Sequence, residues 1–266
     1  LVVPWGVEGA ALATVIAQLA SAFLCLVKLR RMGHLFDMHP SYLKPDRENI
    51  FTVLRLGLPS GITQAIFSLA MVVVQSLTNS FGELIIAANV IIMRVDGFAM
   101  MPNFSFGTAM TTYSGQNVGA REYDRVKQGA KQGTLLAVGI SASITALILL
   151  FGHHLMAIFT STEKLVNVSA RMMAILSAGY IAMAVTQSLS GIMRGAGDTM
   201  TPMWISMVTT VAIRIPLAYG IAWLTRTPEF PKGRYECIWI SLLFSWVLGA
   251  VITIVFYRLG NWKKKA

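Results

Sequence analysis

Seven apolar stretches, each long enough to cross the hydrocarbon core of a bilayer as a helix, recur along this chain. They cover about residues 5–27, 58–80, 85–110, 133–152, 170–192, 203–224 and 237–257. Spans of this length with internal Gly and Pro argue for helices, because in lipid the backbone must satisfy its own hydrogen bonds. Barrel strands would alternate in polarity over about ten residues, and none of these stretches does. Only 13% of the residues are charged, against about a quarter in an ordinary soluble domain. The expected fold class is an all-α polytopic membrane protein with seven transmembrane helices.

The net charge of +10 invites a nucleic-acid reading, but its distribution argues against one. Of the 22 Lys and Arg, 15 lie in every second connection or in the tail: Lys28, Arg30, Arg31, Lys44, Arg47, Arg55, Arg121, Arg125, Lys127, Lys131, Arg194, Arg258, Lys263, Lys264 and Lys265. That asymmetry is the positive-inside pattern, so the C-terminus is expected in the cytoplasm and residue 1 outside. Trp5, Trp204, Trp223, Trp239 and Trp262 fall near span ends, where aromatic belts form. Cys25 and Cys237 offer neither a disulfide framework nor a metal spacing. An odd number of spans, an outside N-terminus and a first residue other than Met suggest a fragment.

Residues 28–57 form a long connection in which Asp46 is placed to cap a helix feeding the second span. Residues 119–132 read as a short amphipathic segment along the membrane surface. Glu8 and Arg30 fall on Glu236 and Arg258 at one constant offset, so the first span matches the last in its flanks. Transporters are commonly built from such repeats.

Helical periodicity gathers Gln64, Ser68, Met71, Gln75 and Asn79 on one face of the second span. The third span does the same with Asn89, Met93, Asp96, Met100, Asn103 and Gly107, and the fifth with Tyr180, Ala184, Gln187, Gly191 and Arg194. Polar side chains facing lipid are penalised, so these faces point into the bundle or line a wet cavity. Flexible Met suits a surface that accepts ligands of varied shape, while interhelical hydrogen bonding is the plainer alternative. In the fourth span Gly129, Gly133, Ala137, Ser141 and Thr145 make a small-residue stripe, which reads as packing.

Arg94, Asp96 and Arg214 sit deep in spans, each costing on the order of 2.5–3.5 kcal/mol without a partner. Arg94 and Asp96 project apart, whereas Asp96 and Arg214 both lie near the midplane, so a contact between them is expected. Such a pair is either purely structural, or it leaves Asp96 placed to titrate or to meet a cationic substrate. Pro102 and Pro216 are expected to kink their spans. His34, His39, His153 and His154 lie in connections or at span ends without metalloprotease spacing, which argues against a membrane-embedded enzyme.

Two short strings carry a resemblance. The third span leads into Gly115-Gln116-Asn117 followed by Gly119 and Ala120, and the fifth into Arg194-Gly195-Ala196-Gly197-Asp198-Thr199 with Pro202. Both resemble elements of the MATE (multidrug and toxic compound extrusion) exporters. The Arg94-Val95-Asp96, Gly9–Thr14 and Arg214-Ile215-Pro216-Leu217 strings are also similar to bacterial members.

The resemblance implies a twelve-helix fold of two six-helix lobes around a cavity that opens to either side. Residues 1–27 would be a helix of the N-terminal lobe, 28–57 a cytoplasmic connection, 58–258 the C-terminal lobe and 259–266 a basic cytoplasmic tail. The implied activity is export of drug-like, often cationic organic molecules from the cell (inner) membrane by Na⁺ or H⁺ antiport. A lipid-linked or polysaccharide flippase of the same superfamily is the alternative, although such proteins line their cavities with several cations. A lone lobe cannot form a two-sided cavity and is expected to be inactive by itself. The implied partners are the bilayer, a drug or organic cation and an N-terminal lobe, with no nucleic acid and no cofactor. One branch of the family carries coupling carboxylates on helices that correspond to spans two and five, and neither span here contains Asp or Glu. The coupling ion is therefore expected in the N-terminal lobe. Gln116, Gly119, Arg194, Gly197 and Asp198 are expected to be hinges and loop anchors, with Gly supplying tight turns.

Overall fold

The structure is a computed structural model that describes residues 6–32 and 46–260. The expectations for Trp5, His34, His39, Lys44, Trp262 and most of the basic tail lie outside the described residues. The helices are α1 (Gly6–Arg31), α2 (Arg47–Ser80), α3 (Glu83–Gly119), α4 (Tyr123–Ala157), α5 (Glu163–Ser177), α6 (Gly179–Gly195), α7 (Met200–Met207), α8 (Ile215–Leu224) and α9 (Cys237–Leu259). A π-helical segment, Val208–Arg214, joins α7 to α8. No strand occurs among the described residues. Six helical stretches are long and apolar enough to cross a membrane, and α5 with α6 passes the same test as one span bent by 42°, making seven.

The chain divides into two compact units, Leu1–Thr52 and Val53–Ala266. In the first, α1 carries Glu8 in its first turn and Lys28, Arg30 and Arg31 in its last, a charge order that complements the helix dipole. Asp46 caps α2: its Oδ2 accepts the Asn49 N–H at 3.3 Å. The helix expected to feed the second span is continuous with it, so Arg47 to residue 57 belong to α2.

In the second unit large apolar side chains face outward as well as into the core, and some polar ones are buried. Phe98 and Leu150 are 72% and 73% exposed on the outside, while Asn103, Ser141 and Ser245 are buried. A lipid solvent produces this arrangement, provided the interior polar groups find partners. They do. Ser141 Oγ donates to Asn103 Oδ1 at 2.8 Å, Ser114 Oγ to the Ile192 carbonyl at 3.0 Å and Ser245 Oγ to the Thr209 carbonyl at 2.7 Å.

Small residues set how closely the helices approach. An added Cβ on Gly191 or Gly195 of α6 would collide with the Gly107 or Thr111 carbonyl of α3, and one on Gly129 or Gly133 of α4 with Tyr113 or Met110. The α4 stripe is therefore a packing surface. At the α5–α6 bend, Thr145 Oγ1 donates to the Ser177 carbonyl at 2.8 Å, and Asn103 Nδ2 donates to the Tyr180 carbonyl at 3.4 Å. Side chains inserted into the carbonyl ladder are a recognised cause of a bend, and here they come from α4 and α3.

Several expectations change. Residues 123–132 do not lie along a surface as a separate segment. They open α4, with Val126 and Ala130 buried and Tyr113 Oη donating to the Arg125 carbonyl at 2.9 Å. Pro102 lies inside a single unbroken α3. Ahead of Pro216 the helix widens into the π turn, which accommodates a ring that would crowd the carbonyl four residues back. Trp239 is 2% exposed in the core and forms no belt, unlike exposed Trp204 and Trp223.

Candidate functional site

Two cavities open within the second unit. The first, of about 120 Å³, is lined from α2 by Met71, Gln75 and Thr78, from α3 by Asn89, Met93 and Asp96, from the π segment by Arg214 and from α9 by Trp239. It lies toward the end of the lobe that holds the α2–α3 and α8–α9 connections. There Lys232 Nζ donates to the Ser80 carbonyl at 2.7 Å and so caps α2. Tyr219 Oη donates to the Val73 carbonyl at 3.3 Å, a second tie to α2. Amides stitch the rim: Gln75 Nε2 donates to Asn79 Oδ1 at 2.8 Å, and Asn89 Nδ2 to Gln75 Oε1 at 3.3 Å.

Of the residues expected on a cavity wall, Met71, Gln75, Asn89, Met93 and Asp96 come together here. Gln187 lines the second cavity instead. Met100, Asn103 and Tyr180 are packed in the interior. Asn103 spends its amide on helix packing, as the plainer alternative for these faces has it. Gln64 and Ser68 are exposed on α2 and line neither cavity, and Ser68 Oγ returns its proton to the Gln64 carbonyl at 3.1 Å.

Two of the three intramembrane charges meet at the first cavity. Asp96 and Arg214 share the first cavity and feel each other's charge, yet no salt bridge joins them among the described residues. Tyr180 Oη takes that place, donating to Asp96 Oδ1 at 2.8 Å. Arg214 is buried with its Nε unpartnered. Arg94 is exposed and lines neither cavity. No cluster of three or more His, Cys, Asp or Glu able to hold a metal ion occurs among the described residues.

The two sequence strings build helix ends. After α6, the Gly197 N–H donates to the Arg194 carbonyl and the Asp198 N–H to the Met193 carbonyl, a Schellman turn with Gly197 at φ 86°. Asp198 then accepts from the Thr201 hydroxyl at 2.7 Å and its N–H at 3.3 Å, ordering the start of α7, where Pro202 is buried. After α3 the same turn recurs: Arg121 N–H donates to the Val118 carbonyl and Glu122 N–H to the Asn117 carbonyl. Here the left-handed residue is Arg121, at φ 61°, and not Gly119, the last residue of the helix. Gln116 serves through its carbonyl, which accepts the Ala120 N–H, and Asn117 Nδ2 donates back to the Tyr113 carbonyl at 2.8 Å. Gly115 meets the Gly195 carbonyl, where a Cβ would sit at 3.4 Å.

Sequence periodicity missed the second cavity almost entirely. It has a volume of about 60 Å³ and draws on α2 (Thr63, Phe67), α6 (Gln187, Ser190, Arg194), α7 and the π segment (Ser206, Thr210) and α9 (Ser245, Trp246). Only Gln187 and Arg194 stood out beforehand, because the other polar residues are single hydroxyls scattered over four spans.

The profile of the MatE family matches residues 59–220. A probable multidrug resistance protein of Bacillus subtilis, YoeA, is 28% identical over 98% of this chain and 55% of its own length. A probable multidrug resistance protein of Thermotoga maritima, NorM, is 26% identical over 98% of the chain and 55% of its own. A crystal structure of MATE in the straight conformation shares the fold with a TM-score of 0.87 at 21% identity, covering 98% of this chain and 58% of that one. The chain spans about half the length of the curated relatives it matches.

Proposed function

The chain belongs to the MatE family, and on that premise we propose that it forms one lobe of a multidrug exporter in the cell membrane. The substrates are amphipathic, often cationic organic molecules, moved in exchange for Na⁺ or H⁺ with no chemical step on the cargo. The first cavity carries this reading. Met71, Met93 and Trp239 offer an adaptable apolar wall, Gln75 and Asn89 offer amides, and Asp96 is the single carboxylate among the lining residues. A cationic headgroup meets Asp96 while its apolar body rests on the thioethers. Supporting the same reading, the relatives carry multidrug resistance names, and the Lys and Arg asymmetry accords with a cytoplasmic C-terminus. A second lobe supplies the opposite wall and the coupling-ion site.

Transport in proteoliposomes tests this. The chain is reconstituted alone and with the five remaining helices of an N-terminal lobe, then loaded with ethidium or a fluoroquinolone under imposed Na⁺ or proton gradients. Gradient-driven efflux with both lobes is expected. Efflux indifferent to both gradients would sink the antiport reading, and absence of efflux with both lobes would sink the drug-export reading.

A further inference from the structure

In the second cavity the hydroxyls of Thr63, Thr186, Thr209 and Ser245 all donate to backbone carbonyls, as hydroxyls on helices usually do. The side chains of Gln187, Ser190, Arg194, Ser206 and Thr210 differ: none hydrogen-bonds to another described residue. Ser190 and Thr210 are each only 4% exposed. Their polar atoms are therefore left to whatever fills the cavity, and an occupant able to hydrogen-bond to them is favoured. Charge selects the kind. Arg194 is the one charged residue lining the cavity, with no ion-pair partner among the described residues. Part-buried at the end of α6, its charge repels cations and attracts an anion. The hydroxyls and the Gln187 amide add neutral donors, and a volume of about 60 Å³ holds a water-sized ion with a companion water.

We propose that this cavity binds a small monovalent inorganic anion of chloride's size, held by Arg194 with Gln187, Ser190, Ser206 and Thr210 as further donors. The anion ties α6 to α7 and to the π segment, so its occupancy stiffens this part of the lobe. The site is separate from the first cavity and stands whether or not the chain exports drugs.

Trp246 lines the same cavity and supplies the readout. The purified chain, in detergent or nanodiscs with gluconate as the bulk anion, is titrated with bromide while Trp fluorescence and Tm are followed. The expected result is a saturable quenching component that disappears in Trp246→Phe. A rise in Tm of a few degrees should saturate over the same range. Arg194→Gln should abolish both, its Tm in gluconate reporting that it folds. Ser190→Ala and Thr210→Val keep the charge, remove one donor each and should weaken bromide binding several-fold. If Arg194→Gln does not fold, unchanged bromide affinity in both hydroxyl variants overturns the proposal. Linear quenching with no anion-dependent Tm in the unmodified chain overturns it, as does a saturable component that survives in Arg194→Gln. Sulfate or inorganic phosphate displacing bromide at lower concentration overturns the assignment to a monovalent anion.

Discussion

The close approach of α3 and α6 rests on glycines, and a small substitution series can measure how much. A Cβ added at Gly191 would overlap the Gly107 carbonyl and sit 3.2 Å from the Gly107 carbonyl carbon and from Met110 Cβ. Backbone cannot rotate away as a side-chain tip can, so the helices must separate. Overpacking of this kind costs typically about 1–3 kcal/mol, and the helix-propensity gain of Gly→Ala returns about 0.5–1 kcal/mol. Gly191→Ala should therefore lose about 1–2 kcal/mol net, or a Tm roughly 2–8 °C lower at about 2–4 °C per kcal/mol. Gly107→Ala is milder, since its nearest neighbour would be the Gln187 carbonyl oxygen at 3.3 Å. Gly139→Ala, with nothing within 4 Å of the added Cβ, should gain a few tenths of a kcal/mol by the same propensity argument. Thermal unfolding in detergent, followed by Trp fluorescence, reads all three. If Gly191→Ala melts no lower than Gly139→Ala, backbone contact is not what sets the α3–α6 spacing.

Further outcomes follow from single residues. Arg121→Gly relieves a left-handed conformation that costs an L-residue roughly 1–2 kcal/mol. Offset by the extra chain entropy of Gly, it should raise Tm by a degree or more, and a fall would contradict the turn assignment. Thr145→Val keeps the side-chain shape but strips the Ser177 carbonyl of its donor. It should cost about 0.6–1.7 kcal/mol, read as a lower Tm with helical content unchanged. Asp96→Asn preserves an acceptor for Tyr180 and removes the charge, so binding of ethidium should fall several-fold while a neutral drug of similar size is unaffected. Equal loss for both would place Asp96 in the scaffold.

The family strings were visible as residues, but their physical task was not. Gly197 occupies the left-handed position its sequence suggests, whereas at the matching turn Arg121 does so beside an available Gly119. Where the α3 helix stops decides that, and the stop depends on Val126 and Ala130 finding a buried place in the following helix. Asp46 was legible as a helix-start residue because a cap needs only local sequence.

Span number and the packing face of α4 were also determined by the sequence alone. Hydrocarbon thickness imposes a minimum apolar length, and small residues at every fourth position can serve few purposes besides close approach. Tertiary structure decided which polar residues meet open space. Gln75, Asn89, Asn103 and Tyr180 share one kind of helical stripe, yet Gln75 and Asn89 line a cavity while Asn103 and Tyr180 are spent on the α5–α6 bend and on Asp96. Periodicity names a face but says nothing of how far away the neighbouring helix lies. The second cavity was hidden for a related reason. Its lining is drawn a few residues at a time from four separate spans, and no one helical face carries enough of it to be seen. Only the folded lobe brings Ser206 and Thr210 into register with Arg194.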